Sequence, residues 1–222
     1  DAVATPVDST VENQRSLSPA GLVGALAVPV GIWIAGLVTM LRRRLITPDL
    51  LASSASNRVL LLAAQRRMFV PVTVVAVAVS LLVHLFGAPW AGILATLAYA
   101  ALSVTAVSLI HLLFVALWGR RGGGVASIAL LGVQLIVTRG LVPMQLRPAW
   151  VDAIANLLPI PQAVNGLQAA YAGGTPASWI WPAVVVAVIA GIAAACAAIV
   201  VGRRRRESAA LQLGIAPGSP AV

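Results

Sequence analysis

Lysine is missing from these 222 residues, acids number only six, and cysteine occurs once, as Cys196. Each shortage removes a class of function. One cysteine supports neither a disulfide framework nor, by itself, a thiolate metal site. Six acids against fifteen arginines give a formal charge of +9. The arginines stand in clumps between apolar runs rather than along one soluble face, so the excess signals membrane topology and not nucleic-acid binding. None of Asp1, Asp8, Glu12, Asp49, Asp152 and Glu207 falls inside a long apolar run. Intramembrane carboxylates, which commonly couple ions to transport, are therefore lacking. A nucleotide-binding phosphate loop is lacking too: the one glycine-rich basic stretch, GRRGGG at 119–124, does not have the GxxxxGK[ST] order. No nucleophile, base and orienting group occur together, so the chain does not read as an enzyme, and no catalytic, cofactor or metal residue is assigned.

Hydrophobic residues, by contrast, make up 60% of the chain and charged residues 9%, against about 25% charged in soluble domains. With a mean hydropathy of +0.97, the chain reads as an all-α integral membrane protein. Crossing a hydrocarbon core takes about 20 apolar residues in a helix, which satisfies its own backbone where no water can. Five runs qualify as transmembrane helices, at about 20–41, 68–86, 91–118, 122–138 and 179–202. The second and third are separated only by Gly87, Ala88, Pro89 and Trp90 and form a tight helical hairpin. The fourth, short for a crossing, follows Arg120, Arg121 and the glycines Gly122 to Gly124, and stops at Arg139.

Five crossings put Arg42, Arg43, Arg44, Arg58, Arg66, Arg67, Arg120, Arg121 and Arg203 to Arg206 on one side, and Arg15, Arg139 and Arg147 on the other. Basic residues collect on the cytoplasmic face, so the C-terminus is expected there and residues 1–19 outside, as the end of an extracytoplasmic region. The opening Asp1, with no signal-peptide pattern after it, leads to the expectation of a longer protein upstream. Residues 203–222 read as a cytoplasmic tail, disordered from 207 on, where Gly214, Pro217, Gly218 and Pro220 gather.

The segment between Arg139 and Ser178 is too patterned for a plain external loop. Trp150, Val151, Ile154, Leu157 and Leu158 share one helical face over about 149–158. Pro159 and Pro161 break that helix, and Pro161 suits the first position of a second, about 161–172. There Val164, Leu167, Ala170 and Tyr171 make an apolar stripe, and Gln162, Asn165 and Gln168 a polar one. Gly173 and Gly174 supply the stop. Two such half-helices are expected to dip into the membrane and return, covered by protein.

Other residues carry paired readings. His84 and His111, inside apolar runs, suit interhelical hydrogen bonds better than proton relay or metal binding. Gln134 and Arg139 line an external vestibule on one reading; on the other, Arg139 simply snorkels to the interface. Cys196 reads as buried packing. The six tryptophans mostly fall near run ends, as an aromatic belt requires. In the last run Ala187, Gly191 and Ala195 form one small-residue ridge and Ala190, Ala194 and Ala198 another, for packing within the subunit or against a second copy.

A proline-terminated external half-helix, the run PQAVNGLQAAYAGG and a last span closed by arginines resemble the C-terminal membrane domain of ABC type-2 permeases. Within that group the chain is most similar to the YhgE/Pip branch, and the entry VATPVDSTVENQRSLSPAGL fits the branch's junction between external region and membrane domain. The resemblance covers about residues 3–206. It implies that this chain supplies the last five spans of a six-span fold in a bacterial plasma membrane. It also implies export of a lipid-like, hydrophobic or envelope substrate, with ATP hydrolysed on a separate subunit, and a homodimer. By resemblance, Pro159, Pro161, Gln162, Asn165, Gly166 and Gln168 fall on an extracytoplasmic gate. The 42–67 loop would dock the ATPase through Thr47, Pro48, Asp49, Arg58, Arg66 and Arg67, and Gly191 and Ala195 would serve dimer or helix packing. Thr47, Pro48 and Asp49 make a good helix start; the competing reading of that loop is a connector resting on anionic lipid heads. Competing functions are a non-transporting scaffold or phage-type surface receptor, and a stand-alone secondary transporter or channel.

Overall fold

In the computed structural model the chain is described over residues 19–46, 56–138 and 148–212, and these residues form helices joined by turns and short irregular stretches, with no strand among them. The elements are α1 (Pro19–Arg42), α2 (Asn57–Leu85), a short 3-10 turn (Trp90–Gly92), α3 (Ile93–Val137), α4 (Ala149–Ala155), α5 (Pro159–Tyr171) and α6 (Pro176–Gln212). Four of the described helices are long and apolar enough to cross a membrane: α1, α2, α3 and α6. The protein is therefore an all-helical chain suited to a membrane, and its exposed Val74, Leu85, Val188 and Ile199 side chains belong in lipid rather than water.

α3 is not a straight rod. At Gly119 the backbone leaves the helix (φ 70°, ψ −175°), a conformation that an L side chain resists. Beyond it the helix runs back along itself. His111 Nε2 lies 2.8 Å from Ser127 Oγ, although sixteen residues of unbroken helix would separate them by about 24 Å. Gly122 to Gly124, at the start of the fourth apolar run, are helical. Their lack of side chains lets the two legs touch: a Cβ on Gly123 would come within 3.1 Å of the Phe114 backbone.

The core forms where α1, α3, α5 and α6 meet, around Ile32, Trp33, Val104, Val107, Val164 and Leu167. Trp33, expected near a membrane surface, is instead fully buried. Its Nε1 donates to Ser127 Oγ at 3.1 Å, the Ser127 hydroxyl faces His111 Nε2, and His111 Nδ1 meets the Val107 carbonyl at 2.7 Å. One polar chain thus ties α1 to both legs of α3, the interhelical role expected of His111. Trp90, Trp118, Trp150 and Trp181 are exposed, as a belt needs.

All the described arginines lie at one end. Arg43 reaches the Arg67 carbonyl at 3.3 Å, Arg67 the Arg44 carbonyl at 3.2 Å, and Arg204 the Leu117 carbonyl at 3.2 Å. α2 already begins at Asn57, capped by Ser56, so the stretch from Arg58 to Arg67 is the first part of a membrane helix rather than a separate loop element. Thr47, Pro48 and Asp49 lie outside the described residues, as do Arg15, Arg139 and Arg147. α6 continues through Glu207 and Ser208 to Gln212, which corrects the expectation of a disordered tail from 207. These residues are good helix formers, and the glycines and prolines gather only from Gly214.

Candidate functional site

α4 and α5 confirm the two half-helices but move the boundary between them. α4 ends at Ala155, and Pro159, expected to terminate it, is instead the first residue of α5. The reason lies in the hydrogen bonds. The first intrahelical bond of α5 is Gln162 N–H to the Leu158 carbonyl at 3.3 Å, so the positions before it need no helical donor. Two of those positions are proline and have none to offer. The third, Ile160, donates to Gln134 Oε1 from the second leg of α3 at 3.0 Å. At the other end Gly173 takes φ 72°, and the Gly173 and Gly174 amides close the last turn on the Ala170 and Ala169 carbonyls.

The two half-helices face different surroundings. α4 turns Trp150 and Ile154 outward, Leu157 just beyond it is also exposed, and of the helix's own residues only Ala155 is buried. α5 is enclosed by α1, α3 and α6, and Pro159, Pro161, Gln162, Val164, Gly166, Leu167 and Tyr171 are all buried. Gln162 joins the two by donating to Asn156 Oδ1 at 3.2 Å and toward the Ala155 carbonyl at 3.5 Å. Asn165 and Gln168 are half-buried.

Side chains of α3 fasten α5 at three heights. Gln134 holds its N-terminus. In the middle, Gly166 lies directly against the Tyr99 phenol, where any side chain would overlap it, and Tyr99 donates to the Trp179 carbonyl at the start of α6. At the C-terminal end Thr96 Oγ1 stands 2.8 Å from Tyr171 OH and 2.9 Å from His84 Nε2. His84 also packs edge-on to the Tyr171 ring at 5.9 Å. Of these fasteners, the sequence had singled out Gln134, Gly166 and His84. Thr96 and Tyr99 went unnoticed, and Tyr171 was read only as part of an apolar stripe. The available signal was a hydroxyl-bearing residue recurring one turn apart on a run otherwise apolar.

The remaining predicted residues are scattered. Gln134, expected to line a vestibule, is fully buried as a cap, and its Nε2 has no partner among the described residues; Arg139 lies outside them. Arg66 and Arg67 are exposed at the arginine end. Gly191 and Ala195 sit on the outward face of α6, with open space beside Gly191, so they do not pack within the subunit. Cys196, expected to be buried, is partly exposed. Among the described residues no three His, Cys, Asp or Glu side chains gather as a metal site. What the geometry offers is a short helix embedded between longer ones, fastened by a few directional contacts.

Comparison with protein-family models, with curated proteins and with solved structures finds no match for this chain.

Proposed function

We propose that the chain is the membrane permease subunit of an ABC type-2 exporter of the YhgE/Pip kind, in which α5 is the extracytoplasmic gate. The carrying observation is the enclosure of α5. A broken helix held inside a bundle by Gln134, Tyr99 and Thr96 can shift between two packings without unfolding any membrane-crossing element, as alternating access requires. In this reading α3 counts as two crossings joined at Gly119, giving five in all. The arginine end faces the cytoplasm of a bacterium, by the bias of basic residues, and the gate faces outward. The partner ATPase binds at the arginine end, near Arg66 and Arg67, and the outward ridge of Gly191 and Ala195 meets a second copy. The cargo is lipid-like, since the bundle offers an apolar lateral surface and no carboxylate within the apolar runs of its crossings.

Single cysteines at Asn165 and Gln168 in a Cys196→Ser background test the gate. With the co-purified ATPase hydrolysing ATP, a membrane-impermeant maleimide is expected to label both positions several-fold faster than without ATP. Labelling that ignores ATP, in a preparation containing an active ATPase, would remove the gate. Purification that never recovers an ATPase would favour the scaffold reading.

A further inference from the structure

Three distant stretches of chain converge at the arginine end. Arg43 to Ile46 follow the last turn of α1, the reversal of α3 brings Gly119 and Arg120, and α6 brings Arg204. Between them lies a concave space of about 310 Å³, at the small end of the roughly 300–1,000 Å³ found for small-molecule sites. Arg43, Arg44, Arg120 and Arg204 form its charged wall, and Leu45, Ile46 and Val115 its apolar floor. Among the described residues no acid lines it; Glu207, the described acid nearest to it along the chain, is exposed on α6.

The four cations are not equivalent. Arg43 and Arg204 are fixed at the rim by their bonds to the Arg67 and Leu117 carbonyls. Among the described residues the side chains of Arg44 and Arg120 make no hydrogen bond or ion pair; only the Arg44 backbone carbonyl accepts one. Cations crowded over an apolar floor repel one another and attract an anion more strongly than they would in open water. The backbone adds to this field. Because Gly119 breaks the helix, the second leg of α3 starts afresh at Arg120, and its positive end opens at the same space. Arginine, with its planar fork of donors, matches pairs of phosphate oxygens in a way that a single ammonium does not. GRRGGG is thus not a phosphate loop of the nucleotide-hydrolysing kind, but it does place a helix start and an arginine where an oxyanion would sit.

We infer that this space binds a phosphate-bearing anion, with Arg44 and Arg120 as its direct ligands and Arg43 and Arg204 as fixed flanking charges. Two carriers share that chemistry: the phosphodiester headgroup of an anionic phospholipid, and a soluble phosphate. The inference stands apart from the permease reading, since it invokes neither cargo nor ATPase.

The test uses the full chain purified in detergent. Retention of phosphatidylglycerol over phosphatidylcholine is measured by native mass spectrometry, and binding of inorganic pyrophosphate by calorimetry. R44Q/R120Q is compared with R121Q/R206Q, which removes two exposed arginines from the same end but none from the wall. The first pair is expected to weaken binding about tenfold or more, and the control pair by less than about twofold. Retention of the lipid alone supports the site and assigns a headgroup; pyrophosphate alone supports it and assigns a soluble anion. Neither substituted side chain in the first pair holds the fold, so its thermal melt should match the wild type, and single R120Q gives the same direction if the pair expresses poorly. Equal losses in the two pairs, or no binding of either probe by the wild type, overturn the inference.

Discussion

Gly166 and Tyr99 illustrate how much a single missing side chain decides. The phenol occupies the volume a Cβ at 166 would need, and its hydroxyl is committed to the Trp179 carbonyl. Gly166→Ala should therefore overpack the site and destabilise the protein by about 1–3 kcal/mol, read as a lower melting temperature in detergent. Tyr99→Phe in the same chain should recover part of that loss, and a double-mutant cycle with no coupling would contradict the contact. Gln134→Leu removes the acceptor from the buried Ile160 amide, at a cost of about 1–3 kcal/mol; hydrogen exchange should show the Ile160 amide losing protection first. Ser127→Ala breaks the polar chain between Trp33 and His111, and near 1 kcal/mol is expected from comparable interhelical bonds. The sequence exposed the unusual residues here, because a glutamine or histidine in an apolar run is conspicuous. It concealed their partners, which come from helices far away along the chain and obey no spacing rule.

Elements were legible wherever a period or a breaker was strong. α1 and the hairpin between α2 and α3 appear where the apolar runs place them, and both half-helices exist. The end of α4 was misplaced by three residues and the start of α5 by two. Proline at 159 and proline at 161 each suit a first turn, and only the Gln134 cap, invisible from local sequence, decides between them. This changes what the prolines are expected to do. Read as helix breakers, Pro159 and Pro161 replaced by alanine would fuse the half-helices. Placed in the first turn of α5, where no intrahelical donor is required, the same replacements should cost less than about 1 kcal/mol and leave α4 and α5 separate. Circular dichroism and a thermal melt of the double variant distinguish these outcomes, since fusion would add helical signal.

For the molecule as a whole, charge placement was the most legible property. Arginines far apart in sequence were assigned to one side by counting crossings, and the structure brings all the described ones to one end through Arg43, Arg67 and Arg204. That counting required a reversal near 119, which no periodicity detects, because helical character continues on both sides of one glycine. Five crossings make a specific topological forecast. In intact cells an impermeant thiol reagent should reach a cysteine placed at Ala91, beside the hairpin of α2 and α3, but not one placed at Arg121, and a fluorescent protein fused after Val222 should mature. Equal labelling at 91 and 121 would remove the five-crossing arrangement.

The enclosure of α5 also governs how the protein must be made. A ribosome that has reached residue 175 has finished α5 but none of α6, the helix that closes one of its sides and carries the Trp179 carbonyl to which Tyr99 donates. α6 thus completes an element already waiting in the bilayer, and a nascent chain stopped just short of it offers quality-control proteases an unfinished bend. Nonsense mutations between 172 and 180 should for that reason abolish the protein rather than merely shorten it.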